Sequence, residues 1–177
     1  LACMMIFSSL SFSAYAQETS ENELIINNMN TGTGLHQIEY VGGWKTSTGY
    51  PDRFLNGDEH WYSFANYKEG DALPYYQVRF KGTGIELYGE TQPLLGIYHI
   101  YIDDILMKEL DVYSPTIVNK VKLATIEGLE YGEHTLKVVL SKTKNEASYQ
   151  PSSVRSGYHS HQVRLAATDN ARSAAGG

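Results

Sequence analysis

Residues 76–103, YQVRFKGTGIELYGETQPLLGIYHIYID, restrict the fold more than any other stretch, because their hydrophobicity alternates and is broken by only a few glycines. Tyr76, Val78 and Phe80 fall on one face of an extended chain and Gln77, Arg79 and Lys81 on the other, the period-two pattern of a half-buried strand. Lys81-Gly82-Thr83-Gly84 then turns the chain, Ile85 and Leu87 begin a second strand, and residues 89–96 loop around Pro93. Tyr98, Ile100 and Ile102 line a third strand that ends at Asp103-Asp104. The expectation is a sheet built by local hairpins.

At 177 residues and 19.8 kDa the chain has room for one domain with a full core. Its 16 Gly and 14 Tyr, with no amphipathic stretch of helical period, describe an all-β protein. A net charge of -6 and a pI near 5.5 argue against nucleic acid, whose phosphates need a basic patch, and against an anionic membrane surface. Residues 1–16, LACMMIFSSLSFSAYA, are uncharged, largely apolar and close on Ala14-Tyr15-Ala16, the pattern of a secretory signal peptide that is incomplete at its N-terminus. No membrane span beyond it is expected, and the location is secreted or at the cell surface. Cys3, the only cysteine, sits inside that apolar run, so removing the signal leaves no thiol, disulfide or cysteine metal site.

Residues 17–34 read as a linker with an edge strand around Leu24, Ile25 and Ile26. Residues 37–44, QIEYVGGW, alternate until Gly42-Gly43, a pair that suggests a bend before Trp44. Residues 45–59 form a long polar loop, 60–64 a short strand and 65–74 a second loop. Leu106, Leu110 and Val112 continue from the Asp103-Asp104 turn as a hairpin, and two further strands run over 120–126 and 134–140. From Ala147 the chain is rich in Ser, Arg, Ala and Gly and carries three Arg against one Asp. Residues 147–177 read as an atypical flexible tail in which only 162–165 could make a strand.

Five motifs carry a resemblance: Tyr40-Val41-Gly42-Gly43-Trp44, His60-Trp61-Tyr62-Ser63, residues 80–89 (FKGTGIELYG), Ile100-Tyr101-Ile102-Asp103-Asp104, and residues 128–138 (GLEYGEHTLKV). Through them the chain resembles the galactose-binding-like β-sandwich modules, similar to carbohydrate-binding modules, of secreted bacterial glycoside hydrolases and surface proteins. The resemblance covers about residues 35–145. It implies a two-sheet antiparallel β-sandwich with jelly-roll character over residues 35–146, and a glycan or polysaccharide as partner. Two departures stand out. The usual Asp-Gly turn is Asp103-Asp104 here, and no alternating closing strand follows the Thr143-Lys144-Asn145 stretch.

Sugars lay the apolar face of a pyranose on an aromatic ring while polar side chains take the hydroxyls. Trp61, inside an apolar strand, reads as core, whereas Trp44, at a strand-to-loop junction, stands between core and ligand. Tyr50, Arg53, Asn56 and Tyr67 lie in the two long loops and complete the candidate ligand set with Trp44, against the bland reading of ordinary loop surface. Asn56, Asp58 and Glu59 cluster oxygen donors around Gly57 and could hold a structural Ca²⁺, although EF-hand spacing is absent and a solvated turn explains them as well. The six His form no HExxH motif, and no paired carboxylates, nucleophile elbow or phosphate loop is visible.

The chain therefore reads as an accessory carbohydrate-binding module of a multidomain protein, and not as an enzyme. Two alternatives remain, a ligand-free spacer or adhesion module, and part of a secreted glycoside hydrolase or esterase whose catalytic domain lies elsewhere. Circular dichroism of residues 17–146 is expected to show minimal helix, and substantial helix would end the β-sandwich expectation. If the loops hold the sugar, Trp44→Ala and Arg53→Ala should each weaken binding by about 1–3 kcal/mol without unfolding. Losses in Arg79→Ala or Tyr88→Ala instead would place the ligand on a sheet face.

Overall fold

The computed structural model describes residues 23–54 and 57–148, together with the backbone of two strands at 158–161 and 166–168. The apolar segment 1–16 with Cys3, Asn56, and the strand expected at 162–165 lie outside the described residues. In chain order the strands are β1 (Glu23–Ile25), β2 (Ile38–Val41), β3 (Lys45–Thr48), β4 (Asp58–Ser63), β5 (Tyr75–Gly82), β6 (Ile85–Thr91), β7 (Ile97–Ile102), β8 (Ile105–Asp111), β9 (Val118–Ile126), β10 (Gly132–Leu140), β11 (Tyr158–His161) and β12 (Ala166–Thr168). One 3₁₀ turn, Phe64–Asn66, follows β4.

One layer of the sandwich is a five-stranded antiparallel sheet in the order β2-β5-β10-β7-β8. The other is made of β11-β4-β3 and β6-β9, with β11 lying against both β4 and β6. β12 pairs with β1, so the segment beyond residue 147 contributes backbone at two places. The fold is all-β, two antiparallel layers packed face to face.

The period-two alternation over 76–103 does set the faces. Tyr76, Val78 and Phe80 on β5 and Tyr98, Ile100 and Ile102 on β7 are all buried. The register aligns them into rows across the sheet: Ile38, Val78, Leu136 and Ile102 form one, and Tyr40, Tyr76, Val138 and Ile100 the next. Ile85, Leu87, Leu123, Ala124 and Ile126 close the core from β6 and β9. Each buried Val, Leu, Ile or Phe among them contributes roughly 1.5–3 kcal/mol by leaving water.

The expected local hairpins are corrected. β5, β6 and β7 never pair with one another; β5 and β7 both pair with β10, and β6 pairs with β9 in the opposite layer. Alternation fixes which face is apolar but says nothing of the neighbour, and here the chain changes layer at each connection. Residues 45–59 are likewise not one long loop, because β3 and β4 form a hairpin there whose connection is 49–57.

The Gly42-Gly43 bend carries the chain from β2 in one layer to β3 in the other. Both glycines have positive φ, 109° and 78°, and a Cβ on Gly42 would lie 2.9 Å from Pro74 Cα, so no other residue fits at Gly42. Trp44, just beyond, packs on the core: its ring centroid is 5.3 Å from that of Tyr40, 6.0 Å from Tyr76 and 6.2 Å from Tyr62. Its indole N–H donates to the carbonyls of Val41 and Tyr75 at 3.0 and 3.1 Å.

The two-residue turn between β7 and β8 is built by Asp103 and Asp104, both with positive φ, 49° and 64°. Asp103 is tied in place. Its Oδ1 accepts from the Thr135 N–H at 2.8 Å, and its Oδ2 lies 2.7 Å from His134 Nδ1. The second ring nitrogen of His134 lies 2.8 Å from the Glu130 carbonyl, so both nitrogens face acceptors. The hydrogen bond to Asp103, then that to Glu130, raises the His134 pKa. Burial works against the Asp103 carboxylate, but His134 and Thr135 outweigh it and lower its pKa.

Asp104→Gly is expected to raise stability by about 0.5–1 kcal/mol in thermal unfolding, because glycine takes the left-handed backbone without the Cβ penalty. Asp103→Gly should instead lower it, since the ties to Thr135 and His134 go with the side chain; a rise there would show that they contribute nothing. Trp44→Ala should cost about 3 kcal/mol, and an unchanged melting temperature would show the ring to be surface.

Candidate functional site

β3 and β4 carry their side chains to two different places. Along β4, His60 and Tyr62 face the core: the His60 ring stacks on Tyr40 at 3.9 Å with 8° between planes, and Tyr62 meets Trp44 and Phe64. Strand alternation turns Glu59, Trp61 and Ser63 outward. Trp61 pairs across the hairpin with Lys45, and Glu59 with Ser47, so these four share the outer face. Trp61 donates its indole N–H to Ser47 Oγ at 2.9 Å, and the Lys45 ammonium lies 5.0 Å from the ring centroid.

Beside this face lies a cleft of about 330 Å³. Ser47, Glu59 and Trp61 form one wall, Arg53 comes from the 49–57 connection, and Gln92, Leu94 and Ile117 come from the loops that flank it. The connection is shaped by local bonds. The Phe54 and Arg53 N–H groups both donate to the Tyr50 carbonyl, and Phe54 is buried as an anchor at 2% exposure. Gly57, with φ of 75°, lets the chain re-enter β4 beside Pro51.

Arg53 is fixed from below by Glu90, which is only 2% exposed. Arg53 Nε donates to Glu90 Oε2 at 2.9 Å and its terminal nitrogen to Oε1 at 2.8 Å, while Gln92 Nε2 donates to Oε1 at 2.6 Å. This two-pronged geometry sets the plane of the guanidinium as well as its position. Burial works against the Arg53 charge, but the hydrogen bond and charge of Glu90, with Glu59 and Tyr50 adding, carry its pKa above the usual value. The outcome is a guanidinium of fixed plane lining the same cleft as the Trp61 ring.

A second, shallower cleft of about 460 Å³ lies at the β2 and β3 edge of the sandwich. Tyr40, Trp44 and His60 line it together with Thr31, Thr33 and Glu39. Burial pushes the His60 pKa down to about 4, with Asp58 opposing, so the ring is neutral at neutral pH.

The residues singled out from the sequence do not meet in one place. Trp44 lies in the second cleft and Arg53 in the first. Tyr50 is half exposed and packs edge-on against Phe54 at 6.1 Å. Tyr67 caps the 3₁₀ turn, donating its hydroxyl to the Asp71 carbonyl at 2.5 Å, and its ring is 5.5 Å from Phe64. Asp58 and Glu59 are neighbours on β4 and point to opposite faces, and no group of three His, Cys, Asp or Glu converges among the described residues. Of the sheet-face alternative, Glu86 and Tyr88 are bonded on β6 at 2.6 Å, while Arg79 lies on the other layer, paired with Glu133 at 3.0 Å. Sequence reasoning put Trp61 in the core and did not single out Ser47, Glu90 or Gln92. β4 alternates Asp58, His60 and Tyr62 with Glu59, Trp61 and Ser63, two halves of similar polarity, so its sequence carries no signal of which faces the core.

No protein-family model matches the chain. Over 63 residues, 36% of this chain, it is 37% identical to the A type blood N-acetyl-alpha-D-galactosamine deacetylase of Flavonifractor plautii, covering 8% of that protein. Over 103 residues, 58% of this chain, it is 27% identical to the A type blood alpha-D-galactosamine galactosaminidase of the same organism, covering 9% of that protein. The matched stretch thus spans less than a tenth of either relative. Among solved structures, a two-domain esterase (CEX) active on acetylated mannans, co-crystallised with mannopentaose, aligns with a TM-score of 0.55 at 15% identity, over 86% of this chain and 38% of that one; it shares the fold. No helix among the described residues is long and apolar enough to cross a membrane. The expectation that the chain is not an enzyme is corrected by these names, since the relatives are a deacetylase and a galactosaminidase and the structural neighbour is an esterase. The chain is homologous, over part of its length, to glycan-active enzymes.

Proposed function

We propose that the chain is a glycan-binding module of a carbohydrate-active enzyme and that the sugar lies in the Trp61 cleft. One observation carries this reading: the Trp61 ring on the outer face of β4 and a guanidinium whose orientation is fixed by Glu90, itself bonded by Gln92, line one cleft. The ring offers the flat apolar contact that a pyranose face needs, and Arg53, Glu59, Gln92 and Ser47 offer donors and acceptors for its hydroxyls. The names of the relatives support a sugar ligand, and those of the deacetylase and the galactosaminidase point to galactosamine-type residues. A place outside the cell, where polysaccharide is met, belongs to the same proposal. Trp44 serves mainly to hold β3 on the core in this reading, which leaves the second cleft as a surface depression over the aromatic cluster.

Calorimetric titration with galactose, N-acetylgalactosamine, galactosamine and manno-oligosaccharides tests it. At least one of these sugars is expected to bind, with Trp61→Ala weakening it by about tenfold or more, the 1–3 kcal/mol scale of a lost aromatic–sugar contact, and Trp61→Phe retaining part of the affinity. The melting temperature of Trp61→Ala should stay close to that of the parent. Silence across all sugars would favour a ligand-free spacer, and binding that survives Trp61→Ala but fails in Glu39→Ala would move the ligand to the second cleft.

A further inference from the structure

We infer that Arg53 and Gln92 together read one sugar hydroxyl in the Trp61 cleft, so that the cleft takes glycans in which this hydroxyl is free and rejects those in which it is acylated, alkylated or missing; this rests on the glycan-binding reading above. The argument is one of fixed donor and acceptor roles. Both side chains line the cleft, and both bond to the same buried oxygen, Glu90 Oε1, Arg53 through a terminal nitrogen at 2.8 Å and Gln92 through Nε2 at 2.6 Å. The two groups are therefore neighbours. An amide can present either end to a partner, but a carboxylate paired with a guanidinium only accepts, so Glu90 takes the NH₂ end of Gln92 and leaves the amide oxygen as the outer atom. That oxygen has no hydrogen bond among the described residues, and it is not one of the buried atoms left without a partner, so it is reached from the cleft.

Arg53 is fixed in the opposite sense. Its Nε edge is taken by Glu90, which leaves the Nη1 amino group and the second N–H of Nη2, donors only, for the cleft. Its side chain is 34% exposed, against 2% for Glu90, so these donors meet an incoming ligand while their anchor does not. The cleft thus offers an acceptor beside a donor, and neither can exchange its role. A hydroxyl answers both, accepting from Arg53 through its lone pairs and donating its proton to Gln92. An ether or ester oxygen at the same place can still accept from Arg53 but has no proton to give, and a deoxy sugar offers neither. Each leaves a polar group of the protein unpaired under the ligand, the effect by which a polar site rejects an analogue most strongly. Stacking on Trp61 makes no such distinction, because the apolar face of the pyranose is the same with or without that proton.

The test is titration of the intact chain with methyl glycosides of galactose, galactosamine, N-acetylgalactosamine and mannose, and with their deoxy and deoxyfluoro derivatives at each hydroxyl in turn, fluorine being small and unable to donate. For a glycoside that binds, one position is expected at which both changes cut affinity by about tenfold or more. Gln92→Leu, which removes the acceptor and leaves both Arg53–Glu90 bonds in place, should bring the parent glycoside down to the level of its fluoro derivative at that position. The derivatives titrated into the unsubstituted chain read the same proton should that variant fold poorly. Binding with no position sensitive to loss of its proton would overturn the hydroxyl reading while leaving a glycan-binding cleft, as would a hydroxyl-to-fluorine gap that persists in Gln92→Leu. No binding by any of the glycosides would remove both.

Discussion

The sandwich depends on one constraint: every second residue of β5, β10 and β7 must face the same way, and must meet an apolar neighbour across the sheet. The rows from Ile38 through Val78 and Leu136 to Ile102, and from Tyr40 through Tyr76 and Val138 to Ile100, meet that requirement. A slip of one residue at any strand would turn the whole set outward. β10 is the strand that cannot move, since it holds β5 on one side and β7 on the other. The rows stop at β8, where Ile105, Leu106 and Met107 are exposed and the sheet ends. Lys108, next along that edge, places a charge where another strand would otherwise add.

Much of this was legible in the residues. Period-two runs located β5, β7 and β10 and their buried faces, and Asp103-Asp104 marked the β7–β8 turn. Pairing was not legible, because alternation describes a strand's two faces and not its edges. β6 reads like a hairpin partner of β5 and belongs instead to β9, more than thirty residues on in the chain. The site was legible only in part. Arg53 stood out as a loop cation, but its partner Glu90 is 37 residues away and shows no local sign of it. Trp44 packs on Tyr40, Tyr62 and Tyr76 and Trp61 turns to the outer face of β4, where the residues alone had read Trp61 as core and left Trp44 between core and ligand.

Polar groups decide the second layer as the apolar rows decide the first. A carboxylate buried as deeply as Glu90 is costly unless paired, and Arg53 with Gln92 meets that need. The same pair draws the 49–57 connection down onto β6, with Phe54 as its apolar anchor and the Lys120 amine donating to the Pro51 carbonyl at 3.1 Å. Loop position and cleft shape are therefore one fact. The connection is held at three points by three different kinds of force.

β4 has a further consequence. Its inner face is fused into the aromatic cluster through His60 and Tyr62, and its outer face presents Trp61. The ring that meets solvent is thus mounted on the same rigid strand that builds the core. On the binding reading proposed above, a ligand would meet a platform already ordered, with little conformational entropy left to lose on association.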